Sequence, residues 1–474
     1  MPNFIPAAAE IFLISAICLV LLIDVFLKDE QRRITLRLSI LAIVGVAACS
    51  SYFAMAEPVI AFNGSVIADP VGNVLKMFVY IVVALTFLYS RDYLIQAGLF
   101  KGEFFILGLF GLLGIMVMIS ANSLLTLYLG LEILSLSLYA MVAFNRESAD
   151  SAEAAMKYFV LGAIASGTLL YGVSILYGVT GTVQLDELSA HFVVNEALNV
   201  PTLLALAFII VGVAFKFGAV PFHMWLPDVY QGAPAPVALF IGTAPKIAAF
   251  ALAWRVLVEG LGGLHASWQD MVAILSVLSL GIGNLVALVQ DNLKRMLAYS
   301  TISHVGFVLM GFVAGTETGI AAALFYTLVY SITAAAAFGM IILLSRKGFE
   351  AERTADFRGL NARSPWFAFM MLIVMFSLAG VPPFVGFYAK LVVLESVIDA
   401  DMLWLAITGI AFAVIGAFYY LRIVWFMYFM EPEDEMPLTA ELDFRLVLSV
   451  NTLALLVLGF FPGGLLELCS RVLL

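Results

Sequence analysis

Apolar runs of about eighteen residues or more recur from end to end of the chain, separated by short polar stretches. Runs of that length form helices that cross a hydrocarbon core of about 30 Å. Apolar stretches and breakers together place spans near 7–27, 34–55, 74–90, 104–120, 123–144, 154–178, 201–224, 235–258, 270–290, 295–314, 318–345, 365–398, 402–430 and 444–470. The twelfth is overlong and holds Pro382 and Pro383, which must interrupt it. The connections are too short for a separate soluble domain. The expected fold is an all-α polytopic membrane protein of about 14 transmembrane helices.

The connections alternate in charge. Those after odd-numbered spans carry KDEQRR at 28–33, Arg91 with Lys101, Arg146, Lys294 with Arg295, and the basic stretch 346–363. Those after even-numbered spans, such as the loops at 181–199 and 259–270, contain no lysine or arginine. Positively charged loops stay on the cytoplasmic side, so both termini are expected outside. The acidic stretch EPEDE at 431–435 does not break the pattern, because carboxylates count little in it. That stretch and the basic loop read most simply as solvated loops. The N-terminal MPNFIPAAAE has no basic segment before the first apolar run, so no cleaved signal peptide is expected.

Composition narrows the chemistry. With 63% hydrophobic residues, 12% charged residues and mean hydropathy +1.07, the chain cannot be a soluble globular domain. A net charge of −10 gives no reason to expect nucleic acid as a partner. Cys18, Cys49 and Cys469 lie in separate apolar segments and form no metal-binding spacing. The string GIGNL at 281–285 lacks the third glycine of a phosphate loop. The methionines and phenylalanines read as packing.

Two spans share an internal flaw. Residues 216–222 read KFGAVPF and residues 378–384 read LAGVPPF, each an interruption inside a membrane span with a lysine close by. These are spans seven and twelve, and a separation of five relates segments of opposite orientation. Paired interruptions of this kind mark inverted-repeat transporters, with the ion path at the breaks. Open backbone at membrane depth is tolerated only inside protein or along a cavity. Two ordinary proline kinks are the alternative.

Five ionisable residues sit at membrane depth with apolar neighbours on both sides: Glu132, Lys216, Lys246, His304 and Lys390. A charge there costs about 2.5–3.5 kcal/mol on insertion scales, so each needs a partner or water. Burial disfavours a charged amine and an adjacent carboxylate favours it, by a few kcal/mol in either direction. A Glu132–Lys216 pair that closes and opens would therefore switch the lysine between holding and releasing a proton. The alternative for each residue is a structural ion pair or a snorkelling side chain.

Three more positions are weaker candidates. Lys157 starts span six and reads as a proton-uptake residue or a snorkelling anchor. His223 lies seven residues past Lys216, on the same face if the helix continues. Lys294 stands at a basic-side helix end, where snorkelling is the simpler account. Asp24 is expected to cap a helix or face headgroups, and His191 and His265 to be surface residues.

The strings LGLEILSLSLYAMVAF, AMKYFVLGAIASG, FKFGAVPFHMWLPDVYQGAPAPV, NLKRMLAYSTISHVGF and GVPPFVGFYAK resemble the antiporter-like membrane subunits of proton-pumping NADH:quinone oxidoreductase, respiratory complex I. The resemblance runs from about residue 100 to residue 430. It is strongest to the N branch (subunit 2 in mitochondria), because the chain ends after span fourteen and has lysine at 390, where the M branch has glutamate. DFRGL at 356–360 is also similar to that branch.

The resemblance implies helices 1–3 in 1–100, a first repeat of helices 4–8 in 101–260, an inverted repeat of helices 9–13 in 261–430, and helix 14 with the acidic loop in 431–474. It places the family's relay on Glu132, Lys216, Lys246, His304 and Lys390. Lys216 would take a proton from the cytoplasmic side and pass it by Lys246 and the His304 region to Lys390. The double proline and Phe384 depart from the usual wording at the second break. The implied chain binds no cofactor of its own; FMN, iron–sulfur clusters and quinone belong to partner subunits. The implied partners are the other membrane subunits, notably antiporter-like subunit M and the small subunits at the quinone end, within a bacterial inner membrane. A subunit of a multisubunit sodium/proton antiporter and a non-conducting scaffold are the rival readings.

Overall fold

The computed structural model describes residues 3–194, 199–346, 349–432 and 440–473; most of the acidic EPEDE stretch lies outside them. The helices are α1 (Ala8–Val25), α2 (Arg33–Tyr52), α3 (Pro70–Gln96), α4 (Gly102–Ile119), α5 (Leu124–Val142), α6 (Ala149–Thr180), α7 (Leu185–Val194), α8 (Val200–Phe217), α9 (Trp225–Gly232) and α10 (Ala235–Gly242). They continue as α11 (Ala244–Ala253), α12 (His265–Ala287), α13 (Leu293–Ala314), α14 (Glu317–Leu344), α15 (Leu360–Arg363), α16 (Pro365–Ala379), α17 (Val385–Asp399), α18 (Leu403–Phe429), α19 (Leu442–Phe460) and α20 (Gly463–Arg471). Among the described residues, 13 helical stretches are long and apolar enough to cross a membrane. The interrupted pair α16 and α17 supplies the remaining span, in agreement with the apolar pattern.

The helix ends carry their expected signals. Ser123, Ser148, Asn292 and Thr316 accept backbone N–H groups with their side chains at the starts of α5, α6, α13 and α14. Left-handed Gly181 and Gly315 close α6 and α13. Both anticipated breaks are present. Helix α8 stops at Phe217 and the chain turns through Gly218 before α9. Helix α16 stops at Ala379, and Gly380 at φ +82° turns the chain toward α17.

Several expectations need correction. The eighth span is broken too: Thr243 takes φ −123° and ψ −91° between α10 and α11. Pro245, with no N–H to continue the ladder, follows it. The same span ends in a π-helical stretch, Trp254–Gly260. The fourteenth span stops at Phe460, because Pro462 begins a separate short helix. The loop at 181–199 contains α7, held by buried Leu185 and Leu188. A two-stranded hairpin, β1 (Val59–Ala61) and β2 (Val66–Ala68), lies between α2 and α3, with Val59 opposite Ala68. It turns through Phe62, Asn63 and Gly64, all at positive φ, as a tight hairpin requires.

The chain forms two compact units. The first takes Met1–Phe87, Phe100–Phe217 and Ala244–Met271; the second takes Leu88–Leu99, Gly218–Thr243 and Val272–Leu474. In the first, α4 and α5 approach so closely that a Cβ on Gly114 would lie 2.5 Å from the backbone nitrogen of Leu134. In the second, α14 is buried along its length and carries the packing of its neighbours.

The first unit also contains charges missed in the apolar reading. Arg255 is fully buried; it pairs with Asp69 at 2.6 Å and Glu259 at 2.8 Å and donates to the carbonyl of Ile119. Lys76 pairs with Glu10 at 2.7 Å, and Ser120 donates to the same carboxylate. Asp24 neither caps a helix nor faces headgroups: it is buried against Arg32 and Thr35. Arg255, Lys76, Glu10 and Asp24 have apolar neighbours in sequence, so the test that found Lys216 would have found them. Breaking a buried ion pair from one side costs about 3–5 kcal/mol, because a charge is left alone. Arg255→Ala is expected to lower the stability of the subunit by about that amount. Thermal melting of the purified assembly, or loss of the chain from the membrane, measures it.

Candidate functional site

The first cluster is built on α5, α6, α8 and α11. Helix α8 delivers Lys216 one residue before its end, and the amine donates to Ser135 Oγ on α5 at 3.2 Å. Glu132 lies one turn before Ser135 and accepts from Ser166 on α6, whose oxygen also lies 3.1 Å from the Tyr128 hydroxyl. The expected Glu132–Lys216 partners therefore each bond to a different serine, Ser166 and Ser135, and form no ion pair with each other.

Lys246, on α11, donates to the carbonyl of Phe217 at 2.8 Å. Phe217 is the last residue of α8, so this oxygen is one of those a helix end leaves without an intrahelical donor. An ammonium there also meets the negative end of the helix dipole. Lys216 and Lys246 are both buried.

The second cluster repeats this chemistry. Lys390, on α17, donates to the carbonyls of Leu378 at 3.0 Å and Ala379 at 2.8 Å, the last two residues of α16. A Cβ on Gly380 would fall 2.8 Å from Lys390 Cδ, so glycine provides both the left-handed turn and the space for the lysine. The amine also stands 5.5 Å above the ring of Phe307. Near it, His304 Nδ1 is 2.7 Å from the hydroxyl of Tyr326 and Nε2 is 3.0 Å from that of Tyr420. Tyr330 packs on the imidazole and shares a 2.7 Å hydrogen bond with Thr301. A small cavity bounded by His304, Tyr326, Tyr330, Thr333 and Ser377 has room for about one water molecule.

The weaker candidates fall outside both clusters. Lys157 is exposed and paired with Glu153 at 2.8 Å. His223 lies beyond the end of α8, so a face shared with Lys216 along one continuous helix does not exist. Lys294 does not snorkel: it is 1% exposed and pairs with Glu352 at 2.7 Å and Glu350 at 3.2 Å. The tyrosines around His304 and the serines between Glu132 and Lys216 carried no signal along the chain. Hydroxyls are common in membrane helices, and only their convergence gives them a role.

The family described as NADH:quinone oxidoreductase/Mrp antiporter, TM, matches residues 121–416, a segment that holds both clusters. The NADH-quinone oxidoreductase subunit N of Thioalkalivibrio sulfidiphilus is 60% identical over 471 residues, covering 99% of this chain and 98% of that protein. The chain belongs to the subunit N branch of this antiporter-like family. The subunit N of Thiobacillus denitrificans is 53% identical over the same shares of the two chains. Among solved structures, a chain of respiratory complex I from Thermus thermophilus with bound aureothin is 30% identical and superposes with a TM-score of 0.84 over 98% of this chain and 99% of that one. A chain of the Mrp complex from Dietzia sp. has the same TM-score at 20% identity over 99% of this chain and 97% of that one, which establishes a common fold only.

Capping by Lys390 has a measurable consequence. Lys390→Ala leaves two buried carbonyls without their donor, at a cost of about 1–3 kcal/mol. The subunit is expected to remain folded but to melt at lower temperature, which calorimetry or a thermal-shift assay on the membrane arm reads directly.

Proposed function

We propose that this subunit moves protons through its two lysine-centred clusters by repeated loading and unloading of the amines at the broken helices. The chain is a proton-translocating membrane-arm subunit of NADH-quinone oxidoreductase and an integral membrane protein of a multisubunit complex. In the proposed sequence Lys216 accepts a proton from the cytoplasmic side, Lys246 receives it next, and the His304 region passes it to Lys390. Glu132 acts as the gate, a reading supported by the contact of Lys216 with Ser135, one helical turn from Glu132. Opposed five-helix repeats over 101–260 and 261–430 carry one cluster each.

The observation that carries the proposal is the placement of Lys246 and Lys390. Each ammonium is held by carbonyls that a helix break has released. Such dipoles bind the charged amine without carrying a full charge of their own, which supports loss of its proton. Ring hydroxyls on both nitrogens of His304 provide groups that both donate and accept, as a proton relay requires. A sodium/proton antiporter role is disfavoured by identity of 60% to a subunit N over nearly the whole chain.

The remaining features follow from the same reading. FMN, iron–sulfur clusters and the quinone reside in partner subunits, and this chain converts their redox energy into proton movement. Subunit M and the small subunits at the quinone end are its neighbours. The membrane is the bacterial inner membrane, with both termini on its outer side.

Lys390→Arg separates proton exchange from helix capping. Arginine keeps the positive charge and donors but does not release its proton near neutrality. The variant complex is expected to assemble while NADH-driven acidification of proteoliposomes falls by about a hundredfold, the lower bound for losing a positioned proton-transfer group. Wild-type pumping by the assembled Lys390→Arg complex would show that the amine is only a structural cap.

A further inference from the structure

The basic-side end of α13 holds an ionic cluster that the relay does not use. Lys294 Nζ contacts Glu352 at 2.7 Å, Glu350 at 3.2 Å and the carbonyl of Ala233 at 3.1 Å. Tyr93 donates to Glu350 at 2.9 Å, and Asn292 donates to Glu352 at 3.0 Å. Exposure is graded across the cluster. The amine side chain is 1% exposed, whereas the carboxylates of Glu350 and Glu352 are 32% and 28% exposed. The carboxylates open onto a polar groove of about 980 Å³, lined also by Asp291 and Asp356 and by the cations Arg353 and Arg358, so that with Lys294 four carboxylates face three positive charges. Chain order places the groove on the side of the lysine- and arginine-rich connections, since its residues follow odd-numbered spans.

We propose that Glu350, Glu352 and Lys294 form a proton-uptake port serving the second unit directly from the aqueous phase. This rests on the relay reading of His304 and Lys390. Two carboxylates on one ammonium leave the cluster with one surplus negative charge, which draws a proton to the exposed side. A proton bound to Glu352 neutralises it and loosens its hold on the ammonium. Lys294 then releases a proton inward and takes up the one on Glu352, restoring the starting charges. One proton is gained from the groove and one is passed on.

The inward direction is set by α13 itself. Thr301 stands seven residues beyond Lys294, close to two whole turns, so these two share a face, while His304, ten residues on, lies about 80° round the helix. Thr301 bonds Tyr330, which packs on His304. Lys294 and Thr301 are separated by about 10 Å along the axis, further than one hydrogen bond reaches, so the proposed step requires a hydrated link between them. A cluster whose only task was to fasten the 346–359 loop to α13 would need neither the exposure gradient nor two carboxylates for one amine.

The test uses the intact complex in proteoliposomes. The double variant Glu350→Gln/Glu352→Gln keeps side-chain size and hydrogen bonding but cannot be protonated and deprotonated. Its NADH-driven proton translocation is expected to fall by at least about tenfold. Glu350→Asp/Glu352→Asp, which retains the carboxylates, is expected to recover most of the rate. Unchanged pumping in the double glutamine variant overturns the port, and so does an equal loss in the aspartate variant, which points to loop anchoring. If the double variant does not assemble, Glu352→Gln alone decides, because it keeps the Glu350–Lys294 pair: a loss of pumping supports the port and a wild-type rate refutes it. Lys216→Ala, run in parallel, tests the relay separately. Wild-type pumping there removes the relay; lost pumping there beside normal pumping in the glutamine variants removes only the port.

Discussion

A lysine ammonium resting on the freed carbonyls of an interrupted helix is the contact on which the rest of this subunit depends. A helix broken at membrane depth exposes acceptors that lipid cannot satisfy, and a buried ammonium lacks the water it would otherwise bind. Each defect removes the cost of the other. Phe217 with Lys246, and Leu378 and Ala379 with Lys390, show this arrangement once in each unit. A carboxylate in the same position would hold the amine more firmly and keep it charged. Carbonyl dipoles stabilise the charge enough to place it in the membrane, and the proposed relay requires that they also leave it free to change.

The surroundings of these amines fit the same requirement. Around His304 the partners are phenols and around Lys216 they are serine hydroxyls, groups that can turn from donor to acceptor without moving their heavy atoms. The full ion pairs lie elsewhere. Arg255 with Asp69 and Glu259, Lys76 with Glu10, and Asp24 with Arg32 are locked contacts at helix ends. These charge pairs tie helix ends together, while Lys216, Lys390 and His304 meet hydroxyls and carbonyls.

Much of this was legible along the chain. Fourteen spans follow from apolar length alone, since lipid demands about twenty residues per crossing. The breaks after Lys216 and before Lys390 follow from glycine and proline, whose backbone effects are local. Lys294 shows where such reading fails. A lysine near a helix end resembles a snorkelling anchor, and nothing nearby in sequence announces that Glu350 and Glu352, nearly sixty residues later, fold back onto it. The break at Thr243 was hidden for a different reason. Gly242 and Pro245 are compatible with a kink or a gap, and neighbouring contacts select between them.

By itself, the sequence determined the membrane setting, the number of crossings, the two interrupted spans and the ionisable residues that the bilayer makes costly. These are consequences of hydrophobicity and backbone sterics, which act over a few turns of chain. Only the tertiary structure decided what each buried charge touches: Lys246 on the carbonyl of Phe217, Lys216 on Ser135, and His304 between two tyrosines. Hydrogen bonds and ion pairs are short-ranged and directional, so their partners are set by packing between segments distant in sequence, and that information is not carried by local pattern.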